Sequence, residues 1–262
     1  MPFESIINTI ENGISKIILN RPEVLNSFNK KMAKEFQQAL IEANENKSIR
    51  AILVTGGGKA FCAGQDLLEA APPGEDLADL GKIIDECYNP IIKLLRSIEK
   101  PIVCAVNGIA AGAGANIALA CDIVVAAESA AFLQAFSKIG LVPDSGGTYF
   151  LPRLIGLPRA AALMILGEKI SANDAMKMGM IYKVFPDADL ETESSKLTAT
   201  LAAMPTKALG LTKKALNQSF NNNLNQQLDL EKALQVEAGN THDYKEGVAA
   251  FLEKRKPVFK GE

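Results

Sequence analysis

Between Val106 and Ile123 the chain reads VNGIAAGAGANIALACDI, a small, glycine-rich, apolar run that should open a buried helix. Glycines at 108, 112 and 114 let backbone approach backbone or ligand very closely. The first turn of such a helix leaves N–H groups unpaired at the positive end of its dipole. That arrangement suits an anion, or an oxygen that becomes anionic during a reaction.

A second element of the same kind lies upstream. Residues 52–67 read ILVTGGGKAFCAGQDL, an apolar strand followed by a glycine turn and the segment Phe61-Cys62-Ala63-Gly64-Gln65-Asp66. Two separate loops can each aim one N–H at a single oxygen, which makes an oxyanion hole for a thioester or another carbonyl.

The rest of the composition narrows the class by exclusion. With 262 residues, nearly half of them hydrophobic, the chain can bury one large core, or a domain with a small appendage. A formal net charge of -2 gives no reason to expect nucleic acid or a membrane surface as partner, and the absence of tryptophan weakens any stacking-based role. Cys62, Cys87, Cys104 and Cys121 share no metal-like spacing, so no metal is expected, and Cys104 and Cys121 read as reduced core residues. No signal peptide, transit sequence, peroxisomal address or 18-residue apolar span is legible, so a cytoplasmic location is expected.

Periodicity supplies the elements. Ser5 to Glu11 and Ile14 to Leu19 form a hairpin about Asn12-Gly13. Lys30 to Asn46 is an amphipathic helix with Met32, Phe36, Leu40 and Ala43 on one face. Arg50 to Thr55 and Pro101 to Val106 are buried strands. Leu77 to Ile98 is a long helix bent near Asn89-Pro90. The glycine-rich helix covers 112–121, and short strands follow at Asp122 to Ala126 and Ala131 to Ala135. Beyond Gly146 the pattern reads as helix throughout, in six segments ending near Leu252. The reading is an α/β core over 1–195 with a helical region over 196–262.

Three motif matches fail. Gly112-Ala113-Gly114 starts a dinucleotide fingerprint, but Ile117 replaces its third glycine. Gly56-Gly57-Gly58-Lys59 resembles a phosphate loop, but Ala60 stands where Ser or Thr is needed. Ser145 lies among glycines, yet Pro143 occupies the first glycine of a nucleophile elbow. The single histidine, His242, lies in a polar stretch and reads as a surface or helix-cap residue, which argues against a Ser-His-Asp site or a zinc site.

The combination of Asn20-Arg21-Pro22…Asn26-Ser27, AFCAGQDL (60–67), NGIAAGAGANIALACDI (107–123), IGLVPDSGGTYFLPRLIG (139–156) and EGVAAFLEKRKPVFKG (246–261) resembles the crotonase, or enoyl-CoA hydratase/isomerase, superfamily. The resemblance implies a spiral of ββα units with C-terminal helices for trimerisation, assembled as a trimer or a dimer of trimers. It implies an acyl-CoA thioester substrate, stabilised as its enolate, with no permanently bound cofactor and coenzyme A present as part of the substrate. By the same resemblance the oxyanion hole would be the N–H groups of Ala63 and Ala113. The CoA moiety would lie along Ala60, Gly64, Gln65, Asp66, Leu67 and Gly112. Phe259 and Lys260 in the basic tail would reach the ligand of a neighbouring subunit.

The departures from the family pattern are informative. Hydratases of this family use two glutamates; here those positions hold Asn116 and Phe136, neither of which moves a proton at neutral pH. Asp144 stands where several isomerases carry an acid. A lone carboxylate facing an enolate suits a proton shuttle within one substrate, and its neighbours Phe136, Ile139, Leu141 and Val142 should desolvate it. A cap at a helix N-terminus is the alternative role for such an Asp. Asn116 would either bind substrate or position Asp144. The 139–156 block most closely resembles isomerases of phenylacetate degradation, which convert ring-1,2-epoxyphenylacetyl-CoA to oxepin-CoA. The alternatives are a Δ3,Δ2-enoyl-CoA isomerase or an enoyl-CoA hydratase of fatty-acid breakdown, a silent CoA-ester binder, or an RNA-binding role. Walls of the acyl pocket are expected from 68–95, Phe132–Phe136 and Tyr149, with a turn at Pro72-Pro73-Gly74.

Overall fold

The computed structural model describes residues 3–71, 73–74 and 76–262; Pro72, in the expected Pro72-Pro73-Gly74 turn, lies outside them. The chain opens with the expected hairpin, β1 (Ile6–Glu11) and β2 (Ile14–Leu19), paired antiparallel from Ile6↔Leu19 to Glu11↔Ile14. Asn12 and Gly13 take positive φ of 50° and 76°, the geometry of a tight two-residue hairpin turn. Helix α1 (Lys30–Glu45) follows, its first turn closed by the Asn29 side chain accepting from Met32 N at 2.9 Å. It buries Met32, Phe36, Leu40 and Ala43, the face anticipated from their spacing.

From here a unit repeats. Strand β3 (Ala51–Gly56) is followed by the short β4 (Ala60–Cys62), then by α2 (Leu67–Ala70), α3 (Leu80–Ile83), a π-helical turn (Ile84–Tyr88) and α4 (Asn89–Ser97). Next come β5 (Ile102–Val106), β6 (Ile109–Ala111) and α5 (Ala113–Leu119), then β7 (Ile123–Ala127), β8 (Ala131–Leu133), α6 (Gly147–Ile155) and α7 (Leu157–Leu166). The first strand of each unit enters one six-stranded sheet, ordered β1-β2-β3-β5-β7 and closed by β10 (Lys183–Phe185). The second enters a four-stranded sheet, β4-β6-β8, closed by β9 (Lys169–Ser171). Pairing from β2 through β10 is parallel, and every residue of β5 is buried, as expected of a central strand covered on both faces.

Two expectations need correction. The region past Gly146 is not wholly helical, because β9 and β10 edge the two sheets on either side of α8 (Ala172–Lys177). Each is three residues long, too short for alternation to show in sequence. The helix expected from Leu77 begins only at Leu80, and its break is the π turn before Asn89-Pro90. Pro90 has no N–H to give to the carbonyl one turn back, that of Glu86. Lys34 Nζ and Gln37 Nε2, both on α1, satisfy that carbonyl instead, at 2.8 and 2.9 Å.

The C-terminal helices are α9 (Leu190–Ala202), α10 (Thr206–Ser219), α11 (Leu224–Gly239) and α12 (His242–Glu253). Helix α9, which spans residue 195, packs on β3, β5 and β7. A charge cluster ties α10 to the core. Asp122 takes Arg96 Nη1 at 3.1 Å and Lys213 Nζ at 2.8 Å, and its second oxygen also accepts Ile102 N. All four cysteines are free and buried.

Candidate active site

The first loop is held from below by the segment that joins β2 to α1. Asn26, fully buried, accepts Arg21 N at 2.9 Å and donates to the carbonyls of Gly57 (2.9 Å) and Ala60 (2.8 Å). Arg21 reaches Ser27 O and pairs with Asp66 at 2.9 Å. These bonds fix the 57–66 turn, and they decide which amides remain available.

Ala63, expected as an oxyanion donor, is not available: its N–H donates to Leu25 O at 2.9 Å. The unpaired amide lies two residues on. Phe28 bridges the loop by bonding Gly64 O (2.7 Å) and Asp66 N (2.8 Å), and alternation turns the N–H of the intervening Gln65 to the opposite side. Among the described residues it meets no acceptor. On the second loop, Gly112 N bonds Leu133 O at 2.8 Å and Asn116 N reaches back to Gly112 O, and the Ala113 N–H, at the first position of α5, meets no acceptor among the described residues.

Glycine allows the two loops to meet. A Cβ on Gly64 would stand 3.0 Å from Ala111 O and 3.7 Å from Ala113 N, and one on Gly114 would stand 2.6 Å from both the carbonyl and the sulfur of Cys62. All four cysteines are buried, and burial pushes the Cys62 thiol up to about 12.

Asp144 sits half-buried in the turn before α6, and burial holds its carboxyl above the ordinary aspartate range. It does not cap that helix, whose N-cap is Gly146; among the described residues its carboxylate takes the Ser145 hydroxyl alone, at 2.8 Å. The expected desolvating neighbours are only partly responsible. Phe136 is buried, but Ile139, Leu141 and Val142 are exposed. Burial pushes the hydroxyl of Tyr88, on the π turn, well above the ordinary tyrosine range, with a smaller push from the Asp144 carboxyl. The Tyr88 hydroxyl also donates to Gln65 Oε1 at 2.5 Å, so the π turn touches the loop carrying the free amide.

Asn116 is fully buried, and both polar atoms of its side chain are bonded within the protein. Its Nδ2 donates to the backbone carbonyl of Asp144 at 2.8 Å, and its Oδ1 accepts Gln134 Nε2 at 2.8 Å. It therefore holds the main chain that carries the acid. Phe136 lays its ring edge 3.8 Å from where a Cβ of Gly112 would be.

The expected CoA contacts divide. Gly64, Gln65 and Gly112 gather at the two loops. The Ala60 carbonyl is taken by Asn26 and Asn107, and Asp66 is spent on Arg21 and on capping α2 through Leu68 N. Leu67 is exposed beside them. Phe259 and Lys260 are not brought to this site within the chain. Arg50 binds Phe259 O, and buried Asp243 accepts Lys260 N and Gly261 N at 2.7 Å each. Arg50 precedes the first residue of β3, whereas the site lies past its last, so about 17–20 Å of strand separates them. His242 opens α12 at the surface, as its polar context suggested. Among the described residues no group of three or more His, Cys, Asp or Glu could hold a metal, and no helix is long and apolar enough to cross a membrane.

Sequence reading missed Gln65 as a donor, Tyr88 and Gln134. Only Gln134 left a signal, as a polar residue in the apolar run Ala131 to Phe136.

Fold and site define a class: a spiral of ββα units whose loops present unpaired main-chain amides near a half-buried acid. Comparison with known proteins gives that class its name. Residues 9–262 match the family enoyl-CoA hydratase/isomerase. The chain is 48% identical over 259 residues to a 1,2-epoxyphenylacetyl-CoA isomerase of Escherichia coli, covering 98% of this chain and 99% of that one. It is 46% identical to a Rhodobacter capsulatus protein named "Probable enoyl-CoA hydratase", over the full length of both. The crystal structure of an enoyl-CoA hydratase from Bacillus anthracis superposes with a TM-score of 0.92 at 34% identity, covering 99% of this chain and 100% of that one. The chain belongs to the enoyl-CoA hydratase/isomerase family, is an enzyme of that family, and has the crotonase fold.

Proposed function

We propose that this enzyme is an acyl-CoA isomerase and that its substrate is ring-1,2-epoxyphenylacetyl-CoA, converted to oxepin-CoA. The amides of Gln65 and Ala113 hold the thioester oxygen as charge builds on it, and the Asp144 carboxyl carries hydrogen between positions of the acyl group. One observation carries the isomerase reading. The two positions that hold glutamates in hydratases are Asn116, bound to the Asp144 main chain, and Phe136, an aromatic ring, so Asp144 has no second acid to work with. Adding water needs an acid and a base together; moving a proton along one substrate needs only one group. A silent binder would have no use for a half-buried carboxyl in this turn. The particular substrate rests on likeness to the Escherichia coli isomerase.

Coenzyme A enters as part of the substrate, along the 60–67 loop. The helical region 196–262 serves assembly of a homo-oligomer, a trimer or a dimer of trimers. This is supported by a 560 Å³ hollow between α10 and α11 lined by Leu211, Ala215, Leu228 and Leu234, and by exposed Val248, Phe251 and Leu252 on α12. In such an assembly Phe259 and Lys260 meet the ligand of a neighbouring subunit.

A substrate panel tests the reading. The phenylacetyl-CoA epoxide and 3-hexenoyl-CoA should be isomerised, and crotonyl-CoA should not be hydrated at a comparable rate. Fast hydration of crotonyl-CoA would overturn it.

A further inference from the structure

Gln134, Asn116 and the peptide of Asp144 form one chain of hydrogen bonds whose direction is fixed. The Asp144 carbonyl can only accept, so Asn116 must turn its NH2 group to it. Asn116 then shows its oxygen to Gln134, and Gln134 must answer with its own NH2; both bonds are 2.8 Å. The Gln134 oxygen is left facing away. It is the only buried side-chain nitrogen or oxygen among the described residues with no partner, on a residue 3% exposed. Leaving such a carbonyl buried without a partner is destabilising. A sequence shaped for stability alone would place an apolar side chain here.

The far end of the chain shows what this arrangement secures. The Asp144 carbonyl also takes Gly147 N at 2.8 Å, so its peptide is gripped from two sides. The turn needs this grip, because the next residue, Ser145, has φ of 51°, a left-handed conformation strained for a residue with a Cβ. The relay is also wedged in place: a Cβ on Gly147 would lie 2.4 Å from Asn116 Nδ2.

We propose that Gln134 is a positioning residue, which holds through Asn116 the peptide from which the Asp144 carboxyl works. The inference rests on the proposed role of Asp144. In Gln134→Leu one unpartnered carbonyl replaces another, since Asn116 Oδ1 loses its donor as Gln134 Oε1 disappears. The melting temperature should therefore stay near that of the parent, while kcat falls about 10- to 100-fold with KM little changed, as expected of a displaced reacting group. Gln134→Glu is the sharper variant. The introduced carboxyl can donate to Asn116 only while protonated, so kcat should fall as pH rises through its pKa, a limb the parent lacks. A merely structural role would alter the folded fraction and leave that profile unmoved. If the leucine variant does not fold, the profile of the glutamate variant decides. Parent-like kcat and pH profile in folded Gln134 variants, beside an inactive Asp144→Asn, would overturn this inference alone; an active Asp144→Asn would overturn the reading beneath it.

Discussion

Asp144 shows how one residue can divide its two ends between structure and chemistry. Its carbonyl is clamped, while its carboxylate accepts a single serine hydroxyl among the described residues. Burial raises its pKa in the fold, so the folded protein favours the protonated form, and stability falls as pH climbs from the ordinary aspartate range through the raised value. Asp144→Asn should therefore melt no lower than the parent at neutral pH, while losing at least about a thousandfold in kcat and still binding acyl-CoA by titration calorimetry. The parent's kcat/KM should drop on the acid side with a midpoint above 3.8, since the carboxylate is the active form. The amides can be tested as directly. Ala113 is the first residue of α5, where proline is otherwise accepted, so Ala113→Pro removes the N–H at little cost to the helix. We expect kcat about 100- to 1000-fold lower with an unchanged melting temperature; a change confined to KM would remove that amide from the reaction.

At the scale of elements, what the sequence made legible followed periodicity and turn chemistry. The β1–β2 hairpin, α1 and α5 lie where Asn12-Gly13, the Met32-Phe36-Leu40 stripe and the small-residue run placed them. What escaped depended on distant partners. Whether Ala63 or Gln65 offers the free amide is decided by Leu25 O and by the bridge to Phe28, which no local pattern encodes. The strands β9 and β10 exist because sheet edges beside β8 and β7 can be paired, not because three residues prefer extension. Close contact between elements was legible only as glycine. Gly114→Ala would push a Cβ against the main chain of Cys62, which cannot swing aside, so we expect a loss of about 1–3 kcal/mol by denaturant titration and a drop in kcat as the loops part.

Across the whole molecule, the charge cluster at Asp122 joins the sheet to the C-terminal helices. Lys213 lies 8% exposed on its side chain, and burial pulls its pKa down despite the aspartate. Asp122→Asn would leave Lys213 and Arg96 facing a neutral amide, and should cost about 3 kcal/mol in chemical denaturation; an unchanged midpoint would show the cluster to be dispensable. The two sheets have a further consequence. Both free amides are placed by short strands, β4 and β6, that pair with each other in the smaller sheet. The stretch from α2 through α4 leaves after β4 and returns only at β5, so it belongs to neither sheet. Its hold on the site runs through the Tyr88–Gln65 bond, so a shift in this stretch would be felt first at the loop that carries one of the two amides, while the other stays where β6 puts it.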